Sequence, residues 1–588
     1  MGTHRPHRRG GSTLRPPRGR RAWHVHGALH LPDRPVPRRR RRDDDVRGRD
    51  RVRASRTRTE PYVTTTTARA WKVLAATALV TAALALGCAP TADAPATTTG
   101  ATPSATRPAA ATVPDRLVVA IPTDVRGFDA AAQDSLGSNT LLGVIGEPLV
   151  SLGNDFVLRP RLATEWDVGD EGRTLTFRLR EGVTFHDGRP FTSDDVRYTI
   201  ESVQAADQAM LSGMLRIITS VETPDPLTVV LRVSDPLRGM LITLATVPIV
   251  PATSGADASA RPIGTGPFAF VRHDAGTALL VERFDQYWGG ASDVASIEFR
   301  VIADSADRAR ALVRGAAHLS QSQWAAADER SLDSDRNVNV QRTEGVSYQY
   351  LAINPARAPF DDVDVRRALN HLIPRERIVS DVFEGRAFPA TSLLVPSMPW
   401  YDPDATVYAY DVDRARELVA TADAAGFDRT YTVLTNDSPI RNAIAEVLVD
   451  TFAQIGLRVE VETLDFSTFL SRINGGDFDM YLLGLAQTYN VTNLLAGSAL
   501  ESGFSNRVGF NDPEAEAWLR EAAGLDPTSD EAVALYRQVA NRLVSYSASA
   551  FLTHTVVTGA TRAEVEGWSP HPLAELAYQD LHQVRLRR

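Results

Sequence analysis

The chain has 588 residues, more than one hydrophobic core usually serves, so two or three lobes are expected. Hydrophobic residues make up 43% and charged residues 23%, ordinary values for a soluble globular protein. The formal charge of −8 hides two populations: residues 1–60 hold nineteen Arg against six Asp or Glu, while residues 89–588 hold 43 basic against 66 acidic groups, and so acidic a body argues against nucleic acid as a partner.

Residues 1–60 are rich in Arg, Pro, Gly and His, include the run Arg38 to Arg42, and show no apolar periodicity, so they cannot build a packed core. They read either as a basic tail or as leader sequence upstream of the true start. The adjoining segment favours a downstream start. Arg69 and Lys72 precede Val73 to Leu86, an uncharged run that suits a signal peptide and is short for a bilayer span. Leu84-Ala85-Leu86-Gly87-Cys88 then resembles a bacterial lipobox, in which the Cys is diacylated and becomes the mature N-terminus, with Ala85 standing where Leu is preferred. The other reading of Cys88 is an accidental buried thiol in a membrane anchor. No second cysteine exists, so neither an internal disulfide nor a thiolate metal site is available. Ala89 to Pro114 is Ala, Thr and Pro, a tether that would hold the body on the order of 30 Å from the lipid.

The body opens with Arg116 to Ile121, a short apolar strand, and a helix around Thr140 to Gly146. Leu175, Phe177 and Leu179 alternate with Thr176, Arg178 and Arg180, the period of a strand with one buried face. Asp187-Gly188 marks a tight turn, and Thr192-Ser193-Asp194-Asp195 supplies oxygens to cap a helix with apolar positions Val196, Ile200 and Val203. Further on, Ile444, Val447, Leu448, Thr451, Phe452 and Ile455 share one helix face; Gly456 stops it, and Leu457, Val459 and Val461 alternate as a strand. A helix feeding a strand in this way indicates an α/β lobe.

Several ordered stretches carry a family resemblance: Arg159-Pro160-Arg161-Leu162-Ala163-Thr164-Glu165-Trp166; Phe185-His186-Asp187-Gly188-Arg189-Pro190-Phe191; Pro262-Ile263-Gly264-Thr265-Gly266-Pro267-Phe268; Tyr287-Trp288-Gly289-Gly290; and Pro359-Phe360-Asp361-Asp362-Val363 through Asn370. From Leu117 onward the chain resembles the family 5 extracellular solute-binding proteins of ABC importers. The resemblance implies an α/β, periplasmic-binding-protein-like fold of the class II, cluster C type, with two main lobes and a smaller subdomain joined by crossing hinge strands near Ser347 to Asn354 and Thr553 to Gly559. It implies this division: 1–60 leader, 61–88 lipoprotein signal peptide, 89–114 tether, 115–146 with 265–348 and 556–588 as lobe I, 147–264 as the small subdomain, and 349–555 as lobe II. The implied partners are a peptide-like or other small ligand, ABC permease subunits, and the membrane through a lipid on Cys88, with the protein a monomer on the outer face of the cell membrane. A sensor or adhesion lipoprotein reusing the same fold is the alternative.

Catalysis is not expected. His186-Asp187 offers one metal ligand and a turn acid, and the histidines His186, His273, His318, His371, His554, His571 and His582 show no ligand spacing. No nucleophile elbow is present, and Asp194-Asp195 and Asp361-Asp362 stand at helix starts, where the positive helix end favours acids. Gly264 and Gly266 lack the Lys and helix of a phosphate loop and read as a turn. Neither a cofactor nor a metal is expected. In peptide-binding relatives a loop reading roughly G-W-x-x-D-Y-x-D-P holds the ligand amine on its first Asp. Here the stretch is Gly484-Leu485-Ala486-Gln487-Thr488-Tyr489-Asn490-Val491-Thr492, without either acid. A buried ammonium would then lack its counter-charge, so a neutral or polar ligand gains ground unless another acid substitutes. Gln487, Thr488, Tyr489 and Asn490 are the expected contacts, with Tyr348, Tyr350 and Trp400 as cleft aromatics.

Overall fold

Ten strands follow one another across the main sheet, and two of them are long enough to belong to both of its halves. From one edge the order is Arg458–Leu464, Thr430–Asn436, Met480–Leu485, Val338–Ile353, Ser549–Arg562, Leu319–Gln321, Arg116–Ile121, Ser296–Val301, Ala278–Arg283 and Phe268–Asp274, with Ala387–Pro389 added beside Ser549–Arg562. The computed structural model from which this is read describes residues 116–128, 136–206, 210–254, 260–421, 427, 429–486 and 489–587. The leader, Cys88, the tether, Gln487 and Thr488 lie outside them.

Val338–Ile353 pairs antiparallel with Ser549–Arg562 from Val338 opposite Arg562 to Ala352 opposite Ser549. The register breaks between Glu344 and Tyr348 and again between Gln349 and Tyr350. Bulges of this kind bend a ladder, and here they fall where the sheet passes from one half to the other. These are the two crossing strands of the expected fold.

Each half packs helices on its sheet. In the first, Leu117, Val119, Phe268, Ile297 and Phe299 meet Leu141, Val144 and Ile145 of the helix Leu136–Ile145. In the second, Leu351, Ile353, Val433 and Leu482 meet Ile444, Leu448 and Phe452 of the helix Pro439–Phe452. The strand Arg458–Leu464 comes next as expected, but Val461 is 37% exposed: the strand lies at the sheet edge, where the inward period of a central strand no longer guarantees cover on both faces.

Between Glu147 and Gly264 the chain builds a separate antiparallel sheet, ordered Ala163–Gly169, Thr174–Leu179, Thr228–Val233, Ile218–Asp225. Leu175, Phe177 and Leu179 are buried, as their alternation demands, against Val196, Ile200 and Val203 of the helix Ser193–Ala205. Asp195 begins that helix with both carboxylate oxygens in use: the Thr192 N–H donates to one at 2.8 Å and the Ala252 N–H to the other at 2.8 Å. His186 is structural too, its Nε2 2.9 Å from Gly266 O and its ring 5.0 Å from Phe284. Glycine is required at 264, because a Cβ there would lie 2.2 Å from Ile145 O. Close backbone packing, not a phosphate, explains that motif.

Candidate functional site

Three of the family-like motifs converge on one side chain. Glu147, at the end of the first helix, accepts from the Tyr287 hydroxyl at 2.7 Å, the Trp288 indole N–H at 2.8 Å and the Thr265 hydroxyl at 3.1 Å, and pairs with Arg161 Nε at 3.2 Å. Burial pushes its carboxyl up, while Arg161 and the three hydrogen bonds pull it back. Four donors and no acceptor around it suit a carboxylate. Arg161 also donates to Gln579 O at 3.1 Å and Asp580 Oδ1 at 3.0 Å, so it clamps the C-terminal segment onto the small subdomain.

Over this network lies a small concavity lined by Gly143, Glu147, Pro148, Arg161, Ala245, Thr246, Pro248, Glu575, Leu576 and Gln579. Glu575 is the unusual member: it is 8% exposed, burial pushes its carboxyl up, and among the described residues no cation pairs with it. The turn that carries it is held on both sides. His571 accepts the Leu573 N–H at Nδ1, 3.0 Å away, with its Nε2 3.1 Å from Leu152 O, and the Thr140 hydroxyl donates to Ala574 O at 3.2 Å.

Tyr489 reaches the same region from the loop after Met480–Leu485. It is 7% exposed, bonds the Thr246 side chain, and is pushed up to about 12 by burial and then by the Glu575 charge. Asn490, next to it, accepts the Asn493 N–H and so caps the helix Val491–Ala499. Its amide donates to Arg238 O at 3.0 Å, Gly239 O at 3.0 Å and Thr243 Oγ1 at 3.1 Å. Gly239, with φ 60°, permits this approach, since a Cβ there would lie 2.1 Å from Asn490 Oδ1. The Asn490 amide is thus engaged between the second half and the small subdomain.

The remaining expected aromatics stand elsewhere. Tyr348 and Tyr350 are buried on one face of the crossing strand and line a second concavity with Ser498, Ser505, Phe510, Tyr546 and Phe551. The Tyr350 and Tyr481 hydroxyls are 3.3 Å apart. Trp400 is wholly buried between Phe156 and Tyr536 and donates to Pro527 O at 2.6 Å; it lines neither concavity. Sequence reasoning overlooked Glu147, Thr246 and Glu575, and met Arg161 only as part of a motif. Glu575 had one legible signal, a single acid inside the apolar run Pro572-Leu573-Ala574-Glu575-Leu576-Ala577.

The profile of the bacterial extracellular solute-binding proteins, family 5 middle region, matches residues 157–503, more than half the chain. The chain belongs to that family. This family 5 protein is 26% identical over 458 residues to heme-binding protein A of Haemophilus influenzae, covering 72% of this chain and 83% of that one. It is 24% identical over 463 residues to the dipeptide-binding protein of Escherichia coli K12, covering 72% and 85%. Among solved structures it is similar to HbpA2 from Haemophilus parasuis, with TM-score 0.74, 22% identity, and 80% and 100% of the two chains covered. A nickel ABC transporter structure from Bacillus halodurans gives 0.69 at 24%, covering 78% and 98%. The fold is therefore the two-lobed binding-protein fold with its extra subdomain. As a family 5 member the chain is an extracytoplasmic transport binding protein, not an enzyme.

Proposed function

We propose that this protein is the lipid-anchored solute-binding subunit of an ABC importer, capturing a peptide-like or other polar small molecule and delivering it to a membrane permease as a monomer. The anchor is the lipid on Cys88. The lobes are 115–146 with 265–348 and 556–588, and 349–555, with 147–264 as the subdomain; the loop Gln487 to Asn490 is the proposed ligand contact, although the Asn490 side chain is engaged within the protein, and Tyr348 and Tyr350 are the proposed cleft aromatics, with Trp400 wholly buried and outside them. One observation carries the reading: the Glu575-lined concavity lies beside Tyr489, where the C-terminal segment, the small subdomain and the loop of the second half meet. A binding site so placed would respond to lobe closure, because its lining comes from the first lobe and the small subdomain while the adjoining Tyr489 belongs to the second lobe.

Mass spectrometry of small molecules carried by the purified protein tests it, paired with uptake of the recovered compound by cells with and without the gene. A bound polar metabolite whose uptake falls on deletion is the expected result. No bound compound and unchanged uptake would refute the importer role.

A further inference from the structure

We infer that the small subdomain works as a clasp on lobe closure, with the hydrogen bond from Trp166 to Asp526 as its catch. This rests on the lobes parting and meeting about the crossing strands, as the proposed function requires. Both chain connections of the subdomain, near Glu147 and Gly264, run to the first lobe. Side chains lock it there as well: Arg161 pairs with Glu147 and Asp580, Asn154 Nδ2 donates to Ser569 Oγ at 3.0 Å, and the Arg180 guanidinium lies 3.9 Å from the centre of the Trp288 ring. No chain connection joins it to the second lobe, yet the two are in close contact. The Trp166 indole N–H, on the strand Ala163–Gly169, donates to Asp526 Oδ2 at 2.8 Å. Asp526 stands between the helices Pro513–Ala523 and Asp530–Tyr546, and its Oδ1 accepts the Thr528 N–H at 2.8 Å and the Thr528 hydroxyl at 2.7 Å, which leaves Oδ2 for the indole. The turn after the Trp166 strand presses on the same place: Gly172 has φ 83°, and a Cβ there would lie 2.3 Å from Ala523 O. Phe156 of the subdomain packs on Trp400 of the second lobe, with ring centres 6.5 Å apart. A body locked to one lobe and resting on the other must break these contacts before the lobes can part, so they weight the closed form. Trp166 and Asp526 line neither concavity and are positioning residues: they set how long the lobes stay together without touching what lies between them.

Amide hydrogen exchange of the purified full chain, with no ligand added, tests the clasp in W166F, D526N and the double variant. W166F keeps the packing ring and loses the N–H, while D526N keeps the shape and leaves one acceptor for two sets of donors. Each single variant is expected to speed exchange by at least about fivefold, the weight of one net hydrogen bond, at 163–172 and at 523–528. The same gain is expected at 573–577, which the clasp does not touch but which lies beside Tyr489 of the second lobe and is uncovered when the lobes part. The double variant is expected to match the singles, since both remove one shared bond. The melting temperature is expected to hold, because each part keeps its own core. Faster exchange at 163–172 and 523–528 alone would show a contact that loosens without freeing the lobes, and would overturn the clasp. Unchanged exchange at all three segments would overturn it, and so would faster exchange throughout the protein with a lower melting temperature, the mark of a purely structural contact. Because no ligand enters the measurement, any of these failures leaves the importer role to be judged by its own test.

Discussion

Glu147 is buried and still suited to its charge because everything that touches it donates. Replacing it by Gln removes a charged partner of Arg161 and sets an amide N–H₂ either against Tyr287 and Arg161 or against Trp288 and Thr265. Breaking a buried pair from one side typically costs about 3–5 kcal/mol, so Glu147→Gln is expected to lower unfolding free energy in urea by about that much. His571 supplies a pH signature. Its imidazole is pushed down to about 4 by burial, whereas an unfolded His titrates near 6.5. Between those values the unfolded chain holds a proton that the folded chain does not. Stability is therefore complete above about pH 6.5 and is lost as pH falls toward 4, by on the order of 3 kcal/mol for this residue. His554, also pushed down to about 4, adds a loss of the same sign. Urea titrations between pH 7 and 4 should show a shallower decline for His571→Gln than for the unaltered protein.

At the scale of elements, the segments with a local period were legible and those assembled from distant pieces were not. The strand Thr174–Leu179 and the helix Ser193–Ala205 follow from alternation and a cap, and Asp195 holds that helix start to the Ala252 backbone as well. Asp195→Ala leaves two N–H groups without their acceptor. A loss of about 1–2 kcal/mol in thermal or urea unfolding is expected, larger than for Asp194→Ala, whose side chain is exposed and bonds mainly Arg197. The edge strand Arg458–Leu464 marks where alternation stops being informative: it located the strand, but the position in the sheet decided that Val461 meets solvent. Asn490 is a second such case. Its place in the loop suggested a free polar contact, yet capping its own helix and bonding Arg238, Gly239 and Thr243 occupy its side chain.

For the whole molecule, two strands carry the connection between the sheet halves, and their register breaks give the junction a place to bend without rupturing the ladder. The proposed anchor acts outside this body. Cys88→Ala is accordingly expected to move the protein from the membrane to the soluble fraction while leaving its thermal unfolding unchanged; retention in the membrane would refute lipidation. Order and spacing of short motifs were enough to determine family and fold, because turns, caps and strand periods are local properties of the chain. The acidic charge of the body and the single cysteine were equally plain from residues alone. Only the tertiary structure joined Arg161, Thr265, Tyr287 and Trp288 around Glu147, and only it set Glu575 beside Tyr489 although 86 residues separate them in sequence. The physical reason is that an uncompensated charge is defined by what surrounds it, and no period or spacing along the chain records those surroundings.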